Sequence, residues 1–482
     1  MSFSREDSIL GIWMFCVLTS QRFLLCSLRK SEACKCGCRS WCSLFPIFQM
    51  INWSLRSLAR GVHPSSRHDG SPLDGARASR ANKPLTFHGA ILFIKGDWCE
   101  YAHTLGFPDW NTTDHPCVMC NCNKASAFSL KGVSMLDLPW KKKRWDEYRK
   151  ACDACEIIID PLTHVVWRKV LANLSYERRT DVAHGRCLLL DIPEAGLMKG
   201  DRLEPSPECP DTGDGFNQSC PARVVFWRNA MRSVTNHRNP IFDYEIGMAP
   251  DRVLVVDWLH AMALGVLKYF LGALMWLLIE AGAWAHGNCT SDVRLERSVA
   301  NIKAQLFRWY TAESRQGRQH CRVQQLASNV FGAADSPTLK LHAAETNSFL
   351  LFAGWVLEKY GDLLGEKKDN FVMAQACFAT TLRIVREHPF TLPPGAQQEF
   401  MNNMVKGLKM LQALGIASRP KMHAMVHMCH DTREKGSPAL HATWFDESFN
   451  RNLKLIAAGS HSRNFYERVL HSLNETLKRK RP

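Results

Sequence analysis

The chain is 482 residues long, 46% hydrophobic and carries a formal net charge of +15. It can therefore hold two or three domains, or one domain with large insertions around a sizeable core. The charge favours an anionic partner, nucleic acid ahead of a membrane surface, and nineteen cysteines on so long a chain exclude a small disulfide scaffold.

Residues 1–60 fit the rest poorly and read as irregular, in line with a truncated or misassigned start. The apolar run Ile9 to Leu18 has only Arg5 ahead of it, beside two acids, and no small-residue cleavage site behind it, so it makes a poor signal peptide. Cys34, Cys36, Cys38 and Cys42 allow a zinc knuckle, although their spacing is unusual for one, and an irregular segment is the plainer reading. From Ile51, apolar residues at Leu55 and Leu58 have helical spacing, and the helix should stop before Pro64. Residues 65–84 read as a loop.

Two apolar runs then end in an acid. Ile91 to Ile94 leads to Asp97, and Val253 to Val256 leads to Asp257, with His260 close behind. Each reads as a buried strand. An Asp after a strand is often only the N-cap of the next helix. It is also a rigid mount for a metal-binding carboxylate.

Between these runs lie the cysteine pairs Cys117/Cys120 and Cys152/Cys155. Two C-x2-C pairs can supply a tetrahedral zinc site. His115 or Cys122 could replace one of the later pair, and Cys152 and Cys155 could equally be ordinary buried thiols. The tract Lys141, Lys142, Lys143, Arg144 is flanked by Trp140 and Trp145. Bases interleaved with aromatics suit phosphate contact plus stacking, although an exposed basic face looks the same. Residues 196–222 read as a long loop.

From 259 to 418 the pattern is helix after helix. The run Ala261 to Ala285 is apolar nearly all round and reads as a buried helix. Lys268 and Glu280 interrupt it, which leaves too few apolar residues for a membrane span. His423, His427 and His430 share one side of a later helix, read as a packed or DNA-facing surface and only secondarily as metal ligands. The segment "WFDESFNRNLK" opens with acids and ends with bases, as a helix dipole favours. It offers Glu447 as a third carboxylate, with Asp446 as its rival. Lys478 to Pro482 reads as a nuclear address or as a solvated tail.

Three blocks in order resemble the transposases of CACTA-type (En/Spm-like) DNA transposons. "IKGDWCEYAHTLGFPDWNTTDHPCVMC" is similar to the family's Asp block that ends in Cys-Pro-x-Cys, although here Pro116 precedes the pair. "DWLHAMALGVLKYFLGALM" resembles its Asp-x-x-His segment. "PKMHAMVHMCHDTREKGSPALHATWFDESFNRNLK" resembles its His-rich helix, turn, Trp and Phe-Glu segment, with Asp446 where a Phe is expected. The blocks span Lys95 to Lys454.

The resemblance implies an α/β, RNase H-like mixed-sheet core with a cysteine-rich zinc-binding insertion and a large all-helical insertion. The core's first part would be 61–258, with the cysteine-rich insertion at about 115–160. The helical insertion would be 259–418, the Glu-bearing part of the core 419–475, and 476–482 a basic tail. Asp97, Asp257 and Glu447 map onto a D-D-E triad holding Mg²⁺ or Mn²⁺, with His260 beside the second Asp; Cys117, Cys120, Cys152 and Cys155 would hold structural zinc. The implied activity is metal-dependent DNA strand cleavage and transfer in the nucleus. DNA is the implied partner, a homo-oligomer is allowed, and no membrane is expected. A catalytically inactive remnant that binds nucleic acid on a zinc-stabilised scaffold is the competing expectation. A membrane-associated protein is a distant third.

Overall fold

The computed structural model describes residues 9–19, 21–33, 41–105, 107, 110, 116–154, 239–285, 290–458, 460 and 465–479. These residues mix helices with small sheets and are mostly helical. The stretch read as irregular instead opens with an antiparallel hairpin, β1 (Ile9–Phe15) and β2 (Arg22–Arg29). The apolar run that made a poor signal peptide is thus a strand. Helix α1 (Trp41–Arg60) follows and carries Leu44, Phe48, Ile51 and Leu55 into the core at helical spacing.

Strands β3 (Ile94–Gly96) and β4 (Leu254–Val256) pair in parallel, Gly96 opposite Val256. The two Asp-bearing runs are therefore neighbours, though both strands are shorter than the apolar runs. The expected RNase H-like mixed sheet is not seen among the described residues. Among the described residues the strands form three separate two-stranded sheets, and β3–β4 is the one parallel pair. Burial on both sides explains the uninterrupted apolar run of β4.

Short helix α2 (Trp98–His103) follows β3, and α3 (Trp145–Ala154) follows the basic tract. Immediately after β4 the chain enters a π-helical segment, Leu259–Val266, which runs on as α4 (Leu267–Glu280). Leu259–Glu280 is long and apolar enough to cross a membrane by length and composition, yet two thirds of its most apolar stretch is buried inside this protein. It packs as the central helix of a layer built from α5 (Ser291–Arg315), α6 (Ala343–Tyr360), α7 (Lys368–Glu387) and α8 (Pro394–Ala413). Phe270, Phe349, Phe352, Phe371, Phe378 and Phe400 fill the space between these helices. Helices thus fill most of 259–418, and they continue beyond it to residue 479.

Helix α9 (Pro420–Lys435) starts with a proline at its first turn and ends at Gly436, whose φ of 78° suits glycine. Almost every residue from Met422 to Cys429 is buried, so α9 is a spine of the main core. Helices α10 (Trp444–Ala458) and α11 (Phe465–Arg479) form a smaller cluster. Leu453, Ala457, Phe465, Val469 and Leu473 are its centre, and Ile9, Trp13 and Leu24 of the hairpin cover it. The N-terminal hairpin is therefore a partner of the C-terminal helices.

Candidate metal centre and carboxylate site

Cys117, Cys120, Cys122 and His423 are all buried, and their donor atoms lie within 4.8 Å of one another. The Cys120 and Cys122 sulfurs are 3.4 and 3.5 Å from His423 Nε2. A tetrahedral zinc with ordinary bond lengths requires sulfur-to-nitrogen edges of about 3.5 Å. His423 Nδ1–H donates to the Ala127 carbonyl at 2.7 Å, which leaves Nε2 as the ligand nitrogen. Trp140 packs its ring 4.4 Å from that of His423 and donates to the Ser126 carbonyl at 2.9 Å. This walls the site from water.

His427, one turn on, is a fifth donor at the rim. Its Nε2 is 3.5 Å from Cys117 Sγ and 3.0 Å from His423 Nε2. Burial opposes charge on Cys117, but hydrogen bonds with Cys120 and Cys122 and the two imidazoles hold its thiol well below the usual range. Cys120 moves the other way, because burial and the Cys117 and Cys122 sulfurs disfavour a second thiolate. Three thiolates in one buried space need a dication between them, so the donor set fits zinc.

Among the described residues, the first pair, Cys117 and Cys120, enters this set. Cys122 and His423 complete it, and His423 comes from a helix 303 residues away from Cys120. Cys155 and His115 lie outside the described residues, as does the side chain of Cys152.

The basic tract has a structural role that its charge concealed. Its backbone pairs with the cysteine turn through Asn121 N–H to Lys141 O at 2.9 Å and Lys143 N–H to Met119 O at 2.8 Å. The Lys143 ammonium donates to the Cys117 carbonyl, and Lys142 pairs with Asp431 of α9 at 3.1 Å. Lys141 is exposed and pairs with Glu147 at 2.6 Å, and Arg144 is exposed. Two of the four bases thus face inward and brace the cysteine loop.

At the ends of β3 and β4, Asp97 and Asp257 leave from adjacent strands on the same side. The Tyr101 hydroxyl bridges the Ile94 and Val255 carbonyls just below them. Asp97 does cap α2, accepting Glu100 N–H at 2.7 Å. Asp257 is 3% exposed. Its Oδ1 accepts from Leu259 N–H and Thr443 N–H, both at 3.0 Å, and its Oδ2 from Thr443 Oγ1–H at 2.8 Å. His260 Nδ1–H donates to the same Oδ2.

The other ring nitrogen, Nε2, lies 3.0 Å from Glu447 Oε1. Burial opposes a charge on His260, but hydrogen bonds to Asp257 and Glu447 and the nearby Asp97 charge outweigh it and lift its pKa to about 9. The imidazolium therefore bridges two of the three acids at neutral pH. Lys421 of α9 is half-buried against this group, where burial lowers its pKa against the pull of Asp97 and Asp257. Gly265 permits that approach, because a Cβ there would lie 2.8 Å from Lys421 Cδ and 2.9 Å from the His260 carbonyl.

Asp446 turns away from the acids. It pairs with Arg22 of β2 at 3.0 Å and Lys95 of β3 at 2.9 Å, so it docks the hairpin while Glu447 faces His260. Asp257 and Glu447 are linked through His260, Asp97 bonds to Glu100 N–H instead, and the three carboxylates are not drawn around one point. Among the described residues, the Cys/His set is the one group of three or more such donors within 4.8 Å. Carboxylate oxygens suit Mg²⁺ or Mn²⁺ by their hardness. In this arrangement His260 occupies the space between Asp257 and Glu447.

No family model, no curated protein and no solved structure matches this chain. Its functional reading rests on the geometry above.

Proposed function

We propose that the chain is a transposase-like enzyme that cuts and joins DNA strands with divalent metal held by Asp97, Asp257 and Glu447. The observation that carries the reading is the placement of Asp97 and Asp257 at adjacent strand ends, with Glu447 reaching the histidine that binds Asp257. A purely structural role explains the Asp97 cap but gives no reason for Glu447 to meet His260. The chemistry that divalent ions supply at such sites is activation of the attacking oxygen and relief of charge on the leaving one. The chain's own contribution is to fix Asp257 through Thr443, to hold a proton on His260 between two carboxylates, and to set Lys421 beside them. The zinc centre is a scaffold in this reading, and the net positive charge serves the DNA backbone.

A second reading has its own support. The His260 imidazolium fills the space between Asp257 and Glu447, as expected of a chain that keeps the fold, binds nucleic acid and no longer cuts it.

The test is nicking of supercoiled plasmid by the full chain with Mn²⁺. Activity should be lost in Asp257→Asn and Glu447→Gln, with DNA affinity unchanged and falling steeply with salt. Nicking that persists in Asp257→Asn overturns the first reading. Absence of nicking by the unaltered chain, with salt-sensitive binding retained, favours the second.

A further inference from the structure

We infer that Thr443 is a positioning residue that fixes the Asp257 carboxylate and registers Glu447 against it. The inference rests on the reading of the acids as a working set, and it goes beyond that reading by naming what holds them in place.

Thr443 is buried and stands immediately before α10. It binds Asp257 twice, its backbone N–H to Oδ1 at 3.0 Å and its hydroxyl to Oδ2 at 2.8 Å. Two contacts to the two oxygens fix the plane of the carboxylate as well as its position. A charged acceptor makes each of these bonds stronger than a neutral pair. The Thr443 carbonyl meanwhile accepts the Glu447 N–H at 2.9 Å. One residue therefore joins the end of β4 to the first turn of the helix that carries the third acid, across 186 residues of chain. A threonine before a helix ordinarily turns its oxygen back to cap that helix. Here the hydroxyl proton goes outward to Asp257. Outer partners of this kind typically change metal affinity by about 10–100-fold when removed.

The test uses the full chain with Thr443→Val, which keeps the shape and the backbone N–H but removes the hydroxyl, and Thr443→Ser, which restores it. Mn²⁺ affinity, followed by calorimetry, should weaken at least about tenfold in Thr443→Val and return towards the starting value in Thr443→Ser. Hydrogen exchange read by mass spectrometry gives a measurement that needs no metal. Thr443→Val should speed exchange in residues 254–262 and 443–450 together, as should Asp257→Asn. If exchange rises only in 443–450, Thr443 is a local helix-end residue and the inference is overturned. Where the unaltered chain binds Mn²⁺, unchanged affinity in Thr443→Val overturns it as well. If the unaltered chain binds no Mn²⁺ while both segments still respond together, the clasp stands and the metal-dependent reading of the acids fails.

Discussion

The Lys435 ammonium donates to the Leu254 carbonyl at 2.8 Å, and both residues are buried. Lys435 ends the helix that carries His423; Leu254 begins the strand that delivers Asp257. The same ammonium pairs with Asp431 at 2.9 Å, and Asp431 also takes Lys142 from the cysteine loop. The Cys/His cluster and the carboxylate site thus share one buried spine. Burial works against the Asp431 charge, but Lys435 and Lys142 hold its carboxyl below the usual range. Lys435→Met leaves that carboxylate short of its main partner, and loss of one member of a buried pair costs about 3 kcal/mol. Urea unfolding should record that loss. The double variant Lys435→Met/Asp431→Leu should recover part of it, because it removes both charges of the more deeply buried pair and leaves Lys142 with Glu434 at 3.7 Å.

Removal of zinc should be felt at the same spine. The chain is expected to bind one Zn²⁺, or Co²⁺ as its spectroscopic substitute, per molecule at the cysteine cluster. Cys120→Ser should abolish that binding and lower the melting temperature, and strong chelators should do the same to the unaltered chain. Thiolate-to-cobalt absorption reports the number of sulfur ligands. A Cys3His set predicts a clear fall in that absorption in Cys122→Ser. If Cys122→Ser is silent while His427→Gln loses the metal, the fourth ligand is His427 instead.

The sequence displayed some of this directly and concealed the rest for physical reasons. Apolar runs ending in Asp97 and Asp257 announced two strands; β4 is buried, and a strand covered on both faces has no polar alternation to interrupt it, whereas β3 is half-buried and Leu92 before it is exposed. Helical spacing announced α4 to α8 for the same local reason. The zinc set was half visible. Cys117 and Cys120 share one turn, whereas His423 arrives through tertiary packing that no local spacing encodes. The His423/His427 pair, one helical turn apart on a single face, was the available signal. The basic tract misled because charge does not say which way a side chain points. Lys142 and Lys143 reach inward, and their backbone does the bracing. The hairpin at Ile9 was hidden because its partners, Leu453 and Val469, lie at the other end of the chain.

His441 gives the fold a sensitivity to acid. It is buried, its Nε2–H donates to the Lys435 carbonyl at 3.0 Å, and its ring stands edge-on to Phe93 at 4.9 Å. Burial pushes its pKa down to about 4, aided by the Lys435 charge and opposed by the bond to the carbonyl. The unfolded chain takes up a proton there near pH 6.5, before the folded chain does. The stability contributed is therefore fully present above about pH 6.5 and is lost as pH falls towards and through about 4, with about 3 kcal/mol at stake. His441→Gln, which can still donate to the carbonyl, should flatten this limb of the stability-against-pH curve. An unaltered acid limb in that variant would remove His441 as its cause.

Asp446 and Glu447 are adjacent, and the structure gives them different work. The Asp446 side chain is 16% exposed and joins Arg22 and Lys95, which are themselves largely covered. Asp446→Asn should cost about 1–3 kcal/mol in unfolding experiments, because two mostly buried cations lose their shared partner. It should also loosen the hairpin, seen as faster hydrogen exchange in residues 9–29. The Glu447 side chain is 47% exposed and touches His260 alone among these groups. Glu447→Gln should change stability by no more than about 0.5 kcal/mol, yet weaken Mn²⁺ binding and lower the His260 pKa from its raised value, which proton NMR of the imidazole resonances can follow. If Asp446→Asn instead lost Mn²⁺ binding at unchanged stability, Asp446 would replace Glu447 as the third acid.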